Sequence, residues 1–389
     1  MKRVLFVFLV VSLFSLLQAC TTGGTPRTTP APALPGGSSI SVPGSTVGGW
    51  EKEWEQTLAP AKKEGRLVVY FTAGPEVRNP LTKAFQDKYG IAIEALGGSG
   101  REIGEKILRE RKAGLFLADI YQGGATTPLS ILKPNGVLDP LEPAFIIPDL
   151  KDPEAIKKVW WEGKLTWFDP DHKVFAFLAY PRPWAVINTN LVKPEELKSF
   201  KDLLNPKWKG KIIMSDPVSP GPGGKFFSVT ASFIMNMDFF RDLAKQDPVI
   251  SRDGRLVVDG LAKEKYAISL APLSEIVAEY KRAGAPLIHL QPVEGASLAT
   301  GHGGLALINN APHPNASKIF INWLLSKEGI TLFSKSNDVH SLREDVSTDF
   351  LSAEGVRQPG LKYYWTDQEE FLLKETTLYA QGREIFGIR

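Results

Sequence analysis

Leu67-Val68-Val69-Tyr70-Phe71 is a short apolar run that stops at Thr72-Ala73-Gly74-Pro75, and Asn79-Pro80 then opens a segment with Leu81, Phe85 and Tyr89 four residues apart. A run of β-formers bounded by Gly and Pro reads as a strand, and apolar residues at every fourth position read as one face of a helix. The spacing predicts a helix with Asn79 as its cap, Pro80 at its first position and Gly90 just past its end. Ile91-Ala92-Ile93-Glu94-Ala95-Leu96 follows as a second strand. Gly97-Gly98-Ser99-Gly100 then leads into a helix over 101–113, with Ile103 and Ile107 on one face and Gly114 at its stop. A third strand, Ala118-Asp119-Ile120-Tyr121, closes with Gln122-Gly123-Gly124. Strands alternating with helices in this order imply a parallel sheet covered on both faces. Ligands of such sheets bind beyond the carboxyl ends of the strands, so the loops at 72–76, 97–101 and 122–127 should line one wall of a cleft.

The same device recurs further along. Trp184-Ala185-Val186-Ile187-Asn188 and Lys211-Ile212-Ile213-Met214 read as strands. Ser215-Asp216-Pro217 and Gly221-Pro222-Gly223-Gly224 follow the second of them, before a helix expected from Lys225. Near the end, Pro314-Asn315 precedes a helix expected over 317–327, with Ile319, Phe320, Trp323 and Leu324 on its packed face and Gly329 beyond it. The fold class expected is α/β in two lobes, each a mainly parallel sheet flanked by helices, with a hinge between them. About 340 residues of folded body are too many for one small core and suit two lobes.

Ahead of the body stands a leader. Lys2 and Arg3 precede an apolar run from Val4 to Leu17, and Leu17-Gln18-Ala19-Cys20 follows. The run is shorter than the roughly 20 residues that span a bilayer, so it reads as an export signal. Cys20, the single cysteine, stands where a bacterial lipobox places its lipidated residue. From Thr21 to Gly49, 22 of 29 residues are Thr, Gly, Pro or Ser, a composition that cannot bury enough apolar surface to fold and reads as a tether. The expected divisions are a signal at 1–19, a tether at 20–49, the first lobe at 50–182 and the second at 183–296. A return to the first lobe at 297–345 and a C-terminal segment at 346–389, packed on the second lobe, complete them. Removal of the leader with Lys2 and Arg3 takes the formal charge from +3 to +1, which offers no general attraction for nucleic acid or acidic lipid.

Several runs resemble extracellular solute-binding proteins of bacterial ABC importers, in the group that includes ferric-iron-binding receptors. They are Ala61-Lys62-Lys63-Glu64-Gly65, Glu110-Arg111-Lys112-Ala113-Gly114, Val186-Ile187-Asn188-Thr189-Asn190-Leu191-Val192, Asn205-Pro206-Lys207-Trp208-Lys209-Gly210-Lys211 and Ala311-Pro312-His313-Pro314-Asn315-Ala316. The resemblance implies a type II periplasmic-binding fold whose lobes close on a small solute, with hinge crossings near 180–188 and 292–302. It also implies docking on a membrane permease, no cofactor and a monomer held to the membrane by its N-terminal lipid. Ferric members of the group use an adjacent tyrosine pair in the second lobe. Here the comparable stretch, Ser269-Leu270-Ala271-Pro272-Leu273-Ser274-Glu275, has none, and Tyr363-Tyr364 lies far beyond it.

The candidate ligand contacts follow from the strand ends. Ser99 and Gly100 start a helix, where unpaired amides and the helix dipole favour an oxyanion, and Arg101 adds a full charge. Gly223 and Gly224 offer a similar nest from the other lobe, with Ser215 and Asp216 beside them. Tyr70, Thr72, Gln122, Gly123 and Tyr180 complete the set. A small organic or phosphorus-containing anion is the expected solute, with ferric iron or an iron chelate as the alternative. An extracytoplasmic hydrolase is the rival of another class. His172, His289, His302, His313 and His340 show no paired zinc spacing, and neither a nucleophile elbow nor a P-loop is complete. A binding module coupled to a membrane sensor stays open beside the importer reading.

Overall fold

The computed structural model describes residues 49–182 and 184–388. The leader, Cys20 and the tether up to Gly48 lie outside the described residues.

The first lobe begins with α1 (Gly49–Glu64), β1 (Arg66–Phe71), α2 (Pro75–Tyr89), β2 (Ala92–Gly97), α3 (Gly100–Lys112) and β3 (Ile120–Gly123). It continues through β4 (Leu138–Asp139), α4 (Pro148–Lys151), α5 (Pro153–Val159), β5 (Thr166–Trp167) and β6 (Phe175–Ala176). The chain leaves along β7 (Tyr180–Arg182). The second lobe holds β8 (Ala185–Asn188), β9 (Ile212–Ser215), α6 (Pro222–Val229), α7 (Met237–Ala244) and β10 (Val249–Ser251). It ends with α8 (Gly254–Ala262), β11 (Ile268–Leu270), α9 (Ser274–Arg282) and β12 (Leu287–Leu290). The chain returns through β13 (Ala296–Ala299), β14 (Gly304–Ile308), α10 (Pro314–Leu325) and α11 (Lys327–Asn337), then closes with β15 (Tyr363–Trp365) and α12 (Glu369–Phe386).

The sheet of the first lobe has the order β2-β1-β3-β14-β6-β5, with β4 also paired to β14; that of the second has the order β10-β9-β11-β8-β12. Both are mixed. In the first, β1 runs parallel to β2 and β3, where helices return the chain, whereas β14 and β6 are antiparallel. In the second, β9 is parallel to β10 and β11, whereas β8 is antiparallel to β11 and β12. The strands that flank the hinge crossings, β6, β8, β12 and β14, all take part in antiparallel pairings, which sequence periodicity does not report. Each lobe has its own core, one built around Phe71, Phe85, Phe175, Phe320 and Phe333, the other around Trp184, Phe200, Phe226 and Phe240.

Three helix boundaries differ from the sequence reading. α2 starts at Pro75, behind an extended Gly74, so Pro80 sits inside it; Gly90 takes the left-handed conformation at its end as expected. α6 starts at Pro222 rather than Lys225. The helix expected over 317–327 is α10, which begins at Pro314, and Gly329 does not end it but lies in the first turn of α11, where a Cβ would meet the Trp323 carbonyl at 2.2 Å.

Two carboxylates explain the runs around Glu64 and His313. Glu64 accepts hydrogen bonds from the amides of Asn315 and Ala316, filling the N-terminus of α10. Asp119, fully buried, accepts from the Val68 amide at 2.7 Å and from both the amide and Nδ1 of His313 at 2.8 Å. One side chain thereby joins the starts of β1, β3 and α10.

A third sheet, β15-β13-β7, lies between the lobes. The segment before β15 is held to the first lobe: buried Arg357 donates to the carbonyls of Ala179 and Ser341, and Arg343 to Asp149, Asp345 and the Leu325 carbonyl. After β15, α12 packs on α6 and α7 of the second lobe, with Phe386 against Phe227 and Phe240. The tail therefore crosses the hinge as a third connection, besides β7 and β13.

Candidate functional site in the interlobe cleft

Where the strand ends of the two lobes meet the hinge sheet there is a cavity of about 510 Å³. The first lobe contributes Gly124, Ala125 and Thr126, and the hinge Tyr180, Arg182, Ala299 and Gly301. From the second lobe come Trp184, the start of α6 with Lys225, and the stretch Ala271-Pro272-Leu273-Ser274. The tail supplies Thr366, Asp367, Glu375 and Tyr379. Gly301 has φ of +56°, and a Cβ there would lie 3.0 Å from the Tyr180 ring, so glycine lets the backbone approach that ring.

Two helices begin at this cavity without side-chain caps. Gly221 precedes α6 and Leu273 precedes α9, and neither side chain bonds to the first turn. Their leading amides and dipoles therefore face the cleft unneutralised by their own caps. Between them Ala271 is held at φ of +51°, an unusual backbone for a residue with a Cβ. Its amide donates to the Trp184 carbonyl at 2.6 Å, and its carbonyl accepts from Ser215 Oγ at 2.7 Å. Strained backbone of this kind collects where a ligand is clamped.

Two of the charges of the cleft form an ion pair. Lys225 Nζ lies 3.1 Å from a Glu375 carboxylate oxygen, and Ser228 Oγ donates to the same carboxylate at 3.0 Å. Burial, reinforced by the neighbouring Glu375 charge, pushes the Tyr379 phenol well above its ordinary pKa. Arg182 donates to Tyr180 Oη at 3.3 Å, and Asp367 accepts the Thr300 amide at 3.1 Å.

Of the residues singled out from the sequence, Tyr180 lines this cavity and Gly123 adjoins it through Gly124. Gly223 and Gly224 stand just behind the α6 entrance; a Cβ on Gly223 would lie 2.3 Å from the Asp216 carbonyl and one on Gly224 2.1 Å from that of Ser219. Ser215 is spent on Ala271, and Asp216 on Arg252 at 2.6 Å and the Val218 amide. Thr72 and Gln122 gather around His302, Thr72 Oγ1 lying 2.8 Å from Nδ1 and the Gln122 amide donating to the His302 carbonyl. Burial holds the His302 imidazole below its ordinary pKa, partly offset by Glu76.

Ser99, Gly100 and Arg101 do not line the cavity. Ser99 and Glu102 form a reciprocal capping box, so the carboxylate of Glu102 already occupies the start of α3, and Arg101 pairs with Glu105 at 2.8 Å. Tyr70 opens onto a separate pocket of about 450 Å³ and donates to Glu110 at 2.8 Å. Tyr363 and Tyr364 are not a pair aimed at the cleft: the Tyr363 hydroxyl accepts the Gln358 amide, while the Tyr364 ring stacks on Phe233. Sequence reading missed Trp184, Arg182, Ala271 to Ser274 and every tail residue. The cue within reach was the position of Pro272 and Ser274 directly after a short apolar strand.

A family model described as bacterial extracellular solute-binding protein matches residues 81–362. The chain belongs to this family. It is a solute-binding receptor of the ABC-importer type. The receptor is 27% identical over 292 residues to an uncharacterized protein of Haemophilus influenzae, covering 72% of this chain and 78% of that one. It is 23% identical over 303 residues to iron uptake protein A1 of Synechocystis, covering 71% and 75%. Among solved structures it is similar to the periplasmic binding protein AfuA of Actinobacillus pleuropneumoniae with fructose-6-phosphate bound, at 23% identity and a TM-score of 0.54, covering 84% of the receptor and all of that chain. It is also similar to the Trichodesmium protein IdiA (FutA) in complex with iron and citrate, at 20% identity and a TM-score of 0.64, covering 82% and 99%. These likenesses establish the two-lobed periplasmic-binding fold, and the family and its neighbours are binding proteins rather than enzymes.

Proposed function

We propose that the receptor is exported, lipidated at Cys20 and tethered by residues 21–48, acts as a monomer, and captures a small anion in the interlobe cleft for delivery to an ABC permease. One observation carries the solute reading: two helix N-termini without side-chain caps, those of α6 and α9, open on one cavity at the hinge. Contacts from both walls favour the closed state, and the permease distinguishes closed from open. Micromolar affinity, about −8 kcal/mol, would let the receptor scavenge and still release.

Isothermal titration of the mature chain against phosphate esters, phosphonates, carboxylates, thiamine, polyamines and ferric citrate tests this reading. Heat with members of the anion series, lost in Tyr180→Ala, is expected; heat with cations alone would overturn it. Neighbouring permease and ATPase reading frames separate import from sensing, for which a histidine-kinase frame would stand instead.

A second reading, iron or an iron chelate, is favoured by the name of the Synechocystis relative. Against coordination by an adjacent tyrosine pair stands the lining of the cleft, whose described tyrosines, Tyr180 and Tyr379, come from the hinge and the tail. A chelate, bound through its own carboxylates, meets no such objection.

A further inference from the structure

The residues after 362 lie beyond the matched span of the family, yet four of them, Thr366, Asp367, Glu375 and Tyr379, line the cleft. They also set its charge. Among the described lining residues the acidic side chains, Asp367 and Glu375, both come from this tail, and the basic ones, Arg182 and Lys225, come from the hinge and the second lobe. The described lining is thus formally neutral, although its described residues before the tail supply positive charge alone.

The two carboxylates are used differently. Glu375 is committed: it pairs with Lys225, accepts from Ser228, and both partners of the ion pair are largely enclosed. Lys225 is therefore neutralised before any solute arrives, and the positive potential of the second lobe comes from the first turns of α6 and α9. Asp367 is half-buried beside the hinge glycine, and the Thr300 amide fixes one of its oxygens at the end of β13. An ionised carboxylate accepts up to about four hydrogen bonds, so this one keeps capacity for a donor inside the cleft. Its position is set from both lobes. Glu369, two residues on, pairs with Lys133 at 2.6 Å and donates its amide to the Phe168 carbonyl, while the rest of α12 is fastened to the second lobe.

We infer that the C-terminal segment makes this cleft select an amphoteric solute, one that carries a protonated amine for Asp367 together with the anionic group held at the starts of α6 and α9. The inference rests on the receptor reading and narrows its solute class. A purely anionic solute would leave Asp367 facing like charge in a partly enclosed cleft, and a purely cationic one would find the helix N-termini opposed to it.

Matched pairs that differ by one amine test the inference: taurine against ethanesulfonate, phosphoethanolamine against ethyl phosphate, and β-alanine against propionate, each titrated calorimetrically into the mature chain. In at least one pair the amine-bearing member binds about tenfold tighter or more, and Asp367→Asn removes that preference by weakening the amine-bearing member and leaving the amine-free member equal or tighter. Equal or tighter binding of the amine-free members overturns the inference and leaves the receptor reading standing. Retention of the preference in Asp367→Asn overturns the role of Asp367. The wild-type preference is measured without any variant, so a poorly folding Asp367→Asn protein does not remove the test. Absence of binding across both these pairs and the wider panel counts against the receptor reading itself.

Discussion

The ammonium of Lys225 in the first turns of α6 stands 3.1 Å from the carboxylate of Glu375 on α12, joining the wall of the second lobe to the last helix of the chain. Both side chains are more than four-fifths enclosed, so neither charge is freely hydrated if the other is removed.

Glu375→Ala should therefore lower unfolding stability by about 2 to 3 kcal/mol, because a largely enclosed ammonium loses its counter-charge. Replacement of both partners, Lys225→Met with Glu375→Leu, should cost about 1 kcal/mol or less. Urea unfolding of Lys225→Met, Glu375→Leu and the double variant measures the coupling, and additive losses would contradict the pairing.

Gly223→Ala should destabilise the second lobe by about 2 kcal/mol or more, since the new methyl group would collide with backbone carbonyls rather than with a side chain that can turn aside. The same change at Gly387, where no heavy atom lies within 4 Å of a built Cβ, tests only the backbone preference and should cost about 1 kcal/mol. Thermal melts of the two variants give the comparison.

His340 is buried next to Arg357, whose amide donates to its Nδ1 at 3.1 Å, and burial together with that guanidinium lowers its pKa to about 3. The unfolded chain binds a proton on this imidazole below about pH 6.5 that the folded chain refuses, so the contribution is intact above that pH and is lost as pH falls toward 3. The slope from this one group is at most about 1.4 kcal/mol per pH unit. Unfolding measured between pH 7 and pH 4 should show a shallower decline in His340→Gln, a side chain that can still accept the Arg357 amide. Identical slopes in the two proteins would contradict a neutral His340.

Much of the fold was legible because β1 to β3 and their helices obey simple periodicities: Leu67, Val69 and Phe71 are buried as a strand face, and Leu81, Phe85, Ile103 and Ile107 as helix faces. The site was less legible. Tyr70 lies between Val69 and Phe71 on the opposite face of β1, and strand alternation alone does not say which neighbour meets a ligand. The start of α3 looked like an open anion nest, but Glu102 three residues after Ser99 fills it, a capping box visible in the sequence and outweighed there by the glycines. Asp367 and Glu375 carried no local signal at all. They belong to the cleft because β15 takes the tail across the hinge, and that crossing depends on a parallel pairing with β13 between residues more than sixty positions apart.

Removal of the Tyr180 ring should weaken solute binding by about tenfold or more while leaving stability within about 1 kcal/mol, because Tyr180 is partly exposed at the cavity. Titration and melting of Tyr180→Ala give the two numbers. Unchanged affinity would place the solute elsewhere.

The most direct test is small-angle X-ray scattering of the mature chain with and without a saturating solute found by titration. Capture between the lobes predicts a smaller radius of gyration and a shorter maximum dimension on binding, both absent in Tyr180→Ala at the same solute concentration. A scattering profile that stays the same while calorimetry reports full occupancy would contradict capture by closure of the two lobes.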